Sequence, residues 1–165
     1  ASQVSTVFGG SPHFPSGYKL RKLTPNFAWI SDEKQYSTQG VLMYKYPADE
    51  ENPFSKENII RHRNETFMAN VPGMLNNTYM TTSTYFEPTV EYIKYIGRDI
   101  AQTRGMGEVE NDFLGGPFVS HSFYSKDGSE IIVLDAFVYA PRYDKRQYLR
   151  QVESIIYSWD WKTTE

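Results

Sequence analysis

The feature that most constrains this chain is Asp127-Gly128, set between two runs rich in β-branched and aromatic residues. Asp-Gly is a strong hairpin signal, because a type I′ turn needs positive φ at both central residues. A two-residue loop pairs Lys126 with Ser129, which sets Ser120 opposite Asp135 and His121 beside Leu134. Any even-length loop centred there gives the same register. Side chains alternate between the faces of a strand. One face of the hairpin over 118–139 therefore carries Val119, His121, Phe123, Ile132, Leu134, Ala136 and Val138. The other carries Phe118, Ser120, Ser122, Tyr124, Ile131, Val133, Asp135, Phe137 and Tyr139. The first face is nearly all apolar and is expected to meet the helices. The second is mixed, as for a face partly in water.

The rest of the chain supplies partners for that hairpin. Residues 27–30 and 41–46 read as short aromatic strands, the second ended by Pro47. Ser55 offers a helix N-cap. Ile60, Phe67 and Val71 then share one helical face, with Arg61, Arg63 and Glu65 turned to water and Pro72-Gly73 as the stop. Residues 79–87 read as a strand, and 90–96 with 100–104 as a hairpin turning through Gly97-Arg98-Asp99. After Pro141, Tyr148, Leu149, Val152, Ile155, Ile156 and Trp159 form the stripe of a core-facing helix. The order of these elements predicts an α+β fold, a mostly antiparallel sheet with two helices packed on one face. Residues 1–14 are rich in Ser and Gly and are expected to be a loose arm. Residues 15–165 show no linker or repeat and read as a single domain.

Composition narrows the function classes. With 17 basic and 20 acidic residues the net charge is -3, which gives no general field for nucleic acid. No cysteine is present, so disulfides and thiolate chemistry are excluded. No apolar run approaches the ~18 residues that suggest a membrane span. His13, His62 and His121 lie on an arm, a helix and a strand, with no spacing that converges on a metal, and no cofactor fingerprint is found.

Ser120, His121 and Asp135 contain the residue types of a hydrolytic triad, but the pleat turns His121 away from the other two. Asp135, a carboxylate within an apolar strand, needs a partner. Arg104 is the expected one, and a Ser120–Asp135 hydrogen bond is expected across the strands. Gly115-Gly116-Pro117 feeds a strand, which suits a bend better than a phosphate cradle at a helix start. Tyr44, Tyr46, Tyr85, Tyr92 and Tyr95 are the members of a conceivable aromatic platform.

Several strings point to a family. Asn26-Phe27-Ala28-Trp29-Ile30, Val71-Pro72-Gly73 with Tyr79-Met80, and Arg104-Gly105 occur in that order. Gly115-Gly116-Pro117-Phe118-Val119-Ser120 and Ala136-Phe137-Val138-Tyr139-Ala140-Pro141 follow, the last leading into Lys145-Arg146. Together they resemble the C-terminal part of an uncharacterised family of bacterial envelope lipoproteins, a domain of unknown function typical of Gram-negative gut bacteria. Met106 and Asp135-Ala136 depart from the family pattern. The resemblance implies a full-length protein lipidated at its N-terminus, on the periplasmic side or the surface, and meeting membrane only through an anchor outside this chain. It implies no cofactor or catalytic residue. The sequence reading is thus a non-catalytic envelope domain binding a protein or glycan, with Asp135, Arg104, His121, Tyr92 and Tyr95 as candidate binding residues. The alternative is a hydrolase of an envelope substrate using Asp135 with Arg104 or His121. A structural subunit, with an apolar patch including Tyr157, Trp159 and Trp161, is a third reading.

Overall fold

The computed structural model describes residues 2–34, 38–70, 80–82, 87–109, 112–139 and 145–163. Val71, Pro72-Gly73, Tyr79, Tyr85 and Pro141, invoked above, lie outside them. The chain runs α1 (Ser2–Phe8), β1 (Gly10–Ser11), β2 (Lys19–Thr24), β3 (Phe27–Glu33) and β4 (Thr38–Pro47). It continues through α2 (Lys56–Asn70), β5 (Met80–Thr82), β6 (Thr89–Tyr95), β7 (Arg98–Val109), β8 (Asp112–Tyr124) and β9 (Glu130–Tyr139). It ends with α3 (Lys145–Tyr157) and β10 (Asp160–Trp161). The main sheet has the order β2-β3-β4-β9-β8-β7, with β5 and β6 both on the outer side of β7. Every ladder among the described residues is antiparallel. The protein is an α+β fold, as the element order requires.

The hairpin register is the expected one: Ser120 faces Asp135 and His121 faces Leu134. The turn is longer than two residues. Ser125 N–H donates to the Glu130 carbonyl at 2.8 Å, and only Gly128 takes positive φ, at 78°. Four residues therefore separate the closing pair, and because that number is even the pairing is unchanged. The β6–β7 turn sits one residue earlier than expected, on Ile96-Gly97 with φ of 46° and 74°. Tyr95 and Arg98 close it.

The helices divide between the two faces of the sheet, which corrects the expectation that both pack on one. Val152, Ile155 and Ile156 of α3 join Val4 and Phe8 of α1 over Ala28, Ile30, Val41, Met43, Val119, Leu134 and Ala136. Phe67 of α2 packs on the opposite face, with Phe27, Leu42, Tyr44, Phe118, Val133 and Phe137. The face of β8 and β9 expected to be half in water is thus covered by α2 and buried. The physical reason is plain: β9 is central and carries apolar side chains on both faces, so one layer of helices could not remove both from water. The expected loose arm is also corrected. Residues 2–8 form a helix whose Val4 and Phe8 are buried, and β1 pairs with β10.

The N-cap is as expected, with Asn58 N–H donating to Ser55 Oγ at 3.2 Å. The buried stripe of α2 is Ile59, Arg63 and Phe67, spaced by four. Arg63, expected in water, lies in its middle.

Candidate functional site

Asp135 stands at the middle of β9 on the face covered by α2. Its carboxylate Oδ2 accepts a hydrogen bond from Arg63 Nε at 2.8 Å. Both side chains are sealed, at 1% exposure for Arg63 and 0% for Asp135. The guanidinium carbon lies 3.6 Å from the centre of the Phe118 ring and 4.4 Å from that of Phe67. The planar cation is thus held by aromatic rings while its Nε meets the carboxylate. Burial pushes the Asp135 carboxyl above its ordinary range, and the neighbouring Arg63 charge pulls it back down.

The sheet aligns other polar groups beside this pair. Register places Leu42, Asp135, Ser120 and Thr103 in one row across β4, β9, β8 and β7. The next row carries Tyr44, Val133, Ser122 and Ala101. Asp135 Oδ1 and the hydroxyls of Ser120, Thr103, Ser122 and Tyr44 are buried without a hydrogen-bond partner among the described residues. The expected Ser120–Asp135 hydrogen bond is therefore not formed. Asp135 takes the guanidinium instead, and a charge-assisted bond is the stronger of the two. Burial first, and then the Asp135 charge, raise the Tyr44 phenol well above its usual pKa.

The remaining sequence candidates lie elsewhere. His121 points to the α3 face, where Gln102 Nε2 donates to its Nε2 at 2.9 Å and to Tyr157 Oη at 2.7 Å. Its ring meets Tyr157 edge to face at 4.6 Å, and Tyr157 meets Tyr95 at 4.9 Å. Burial, with the charges of Arg98 and Arg104 behind it, pushes the His121 imidazole down to about 3. Arg104, the expected partner of Asp135, pairs with Glu153 of α3. The sheet itself separates the two, since Arg104 faces Val119 while Asp135 faces Ser120. Asp135 cannot share a site with either Arg104 or His121. Tyr92 is exposed on β6, its hydroxyl donating to the Phe54 carbonyl at 2.6 Å, and Tyr95 points to the other side of that strand. Tyr44 and Tyr46 lie under α2, with Tyr46 stacked on His62 at 3.7 Å. The four described tyrosines therefore form no common platform. Trp159 and Trp161 pack edge to face with each other and with Phe123, which leaves little of the expected C-terminal patch in water.

Gly115-Gly116-Pro117 sits in the β7–β8 ladder opposite Glu108, Gly107 and Met106, next to a register shift. Gln102 and Thr103 carry no sequence signal of a role, and Arg63 was expected in water. For Arg63 the signal existed, because it lies four residues from Ile59 and four from Phe67. Among the described residues no group of His, Asp and Glu could hold a metal ion. No described helix is long and apolar enough to cross a membrane.

The family described as a domain of unknown function (DUF4837) matches residues 1–158. The chain belongs to the DUF4837 family. No curated protein matches it. A solved structure similar to this DUF4837 chain is that of LpqN, involved in cell envelope biogenesis of Mycobacterium tuberculosis. The identity is 13% and the TM-score 0.47, over 89% of this chain and 79% of that one.

Proposed function

We propose that this DUF4837 protein is a non-catalytic cell-envelope domain that binds a protein partner through the tip of the β6–β7 hairpin. The envelope setting, on the periplasmic side or the surface through a lipid anchor on a preceding segment, rests on the sequence resemblance. One observation supports the binding face. Ile96 holds φ of 46° while 81% exposed. A β-branched residue in the left-handed region is a genuine outlier, and Asn or Gly would be at ease there. A strained, solvated isoleucine gains nothing for the fold, so a contact outside the chain accounts for it. Tyr92 and Tyr95 extend the same element, and β6 pairs only with β7 among the described strands. An extended segment of a partner adding to that edge would satisfy the free backbone groups and cover the apolar side chains.

The internal candidates favour binding over turnover. Asp135 is spent on Arg63, Arg104 on Glu153, and His121 on Gln102. The test places a photo-crosslinking residue at position 96 of the full-length protein in intact envelopes. A discrete adduct with one protein, absent when the probe stands at exposed Asn26, is expected. Adducts with saccharide alone would move the reading to a glycan partner, and identical adducts from both positions would remove the hairpin from consideration.

A further inference from the structure

A cleft lies at the turn end of the central β8–β9 hairpin. It encloses about 640 Å³ between α1, the β8–β9 loop and β10. That is within the range of small-molecule sites, roughly 300–1,000 Å³. Its lining includes Lys45, Lys126, Asp127, Glu130, Trp161 and Lys162.

The charges in this cleft are unequally engaged. Asp127 Oδ1 accepts from the Ser129 N–H at 3.0 Å, from Ser129 Oγ at 2.7 Å and from Ser125 Oγ at 3.0 Å. Glu130 has Lys45 Nζ at 3.6 Å, and Lys45 also donates to the Val7 carbonyl at 2.8 Å. The two carboxylates are therefore committed. Lys126 and Lys162 have no carboxylate partner among the described residues. The Lys162 ammonium donates to the Thr6 hydroxyl, at 3.5 Å. The cleft is locally positive in a chain whose net charge is -3.

Trp161 supplies a rigid wall. Its ring stands at 90° to both Trp159 and Phe123, with centroids 5.3 and 6.0 Å away, so its plane is set by packing. A fixed indole with hydroxyls and unpaired ammonium groups around it suits a flat, hydroxylated, negatively charged molecule. We propose that this cleft binds an anionic saccharide, a sugar bearing a carboxylate or a phosphate. Its apolar ring face lies on Trp161, its acid group meets Lys126 and Lys162, and its hydroxyls meet Thr6 and Ser125. This site is independent of the β6–β7 hairpin, which lines no part of it.

The experiment follows the indole N–H resonance of Trp161 in the intact chain, assigned with Trp161→Phe, on titration with four probes. Glucuronate and glucose 6-phosphate are expected to move it, and the stronger of the two identifies the acid group. Glucose and inorganic phosphate are expected to bind at least about tenfold more weakly, since each offers half of the recognition. Lys126→Ala and Lys162→Ala, both at exposed positions, are expected to weaken the sugar acid several-fold each, and more so at low salt. An unmoved Trp161 signal would overturn the proposal. So would equal shifts from inorganic phosphate, or unchanged binding in both lysine variants.

Discussion

Arg63 of α2 donates through Nε to Asp135 of β9 at 2.8 Å, and this buried ion pair fastens the helix to the middle of the sheet. Removing one member strands the other in an apolar layer. Asp135→Asn is expected to destabilise the protein by about 3–5 kcal/mol, the usual cost of leaving a buried charge uncompensated. Arg63→Met combined with Asp135→Leu is expected to recover most of that loss, because apolar groups can replace both charges together. Urea unfolding of the three proteins checks this. An Asp135→Asn variant as stable as the parent would mean that the pair does not anchor α2.

His121 makes stability fall in acid. Its folded pKa is lowered to about 3 from an ordinary 6.5. Between those values the unfolded chain binds a proton that the folded chain refuses, so stability rises with pH across the window. The contribution is complete above about pH 6.5 and is lost as pH falls towards 3. The loss amounts to several kcal/mol at the acid end. Unfolding midpoints from pH 7 to pH 3 should therefore slope less steeply in His121→Gln than in the parent. Parallel slopes would exclude His121 as the group responsible.

Gly40 is required by packing. A Cβ there would lie 2.8 Å from the Phe137 ring and 2.9 Å from the Ile30 carbonyl oxygen. The carbonyl belongs to a paired strand and cannot retreat far. Gly40→Ala is expected to cost about 1–3 kcal/mol by overpacking. Thermal unfolding measures it, and a neutral result would show that Phe137 moves freely.

Ile96 makes the opposite prediction. Asn tolerates the left-handed region that isoleucine avoids, so Ile96→Asn is expected to stabilise the fold by about 1 kcal/mol. For a chain of this size that is a rise of roughly 2–4 °C in Tm. With the crosslinking residue moved to exposed Tyr92, the same change should weaken the envelope crosslink from the hairpin. A variant that is more stable and equally adhesive would leave the strain without a functional reason.

Local chemistry made much of the fold legible. Asp127-Gly128 and the alternation around it set the β8–β9 register, which placed Ser120 opposite Asp135 and turned His121 to the other face. That held with a four-residue loop, because an even loop length preserves pairing. The apolar stripe of α3 and the Ser55 cap were equally readable. The candidate site was legible only in part. Asp135 was marked by its cost in an apolar strand, but its partner was misassigned to Arg104.

What the sequence by itself determined here is the elements from β3 to α3, their periodicity and the pairing of the central hairpin, since these depend on neighbours along the chain. Tertiary structure decided on which side of the sheet each helix lies, and with it the identity of every long-range partner. An arginine in the middle of a helix looks solvated until the opposing strand presents a carboxylate. Arg63 is buried because Asp135 is there to meet it, 72 residues further along the chain. The N-terminal segment joins the core for the same reason. Val4 and Phe8 have nothing to bury against until the sheet and α3 form the surface that receives them.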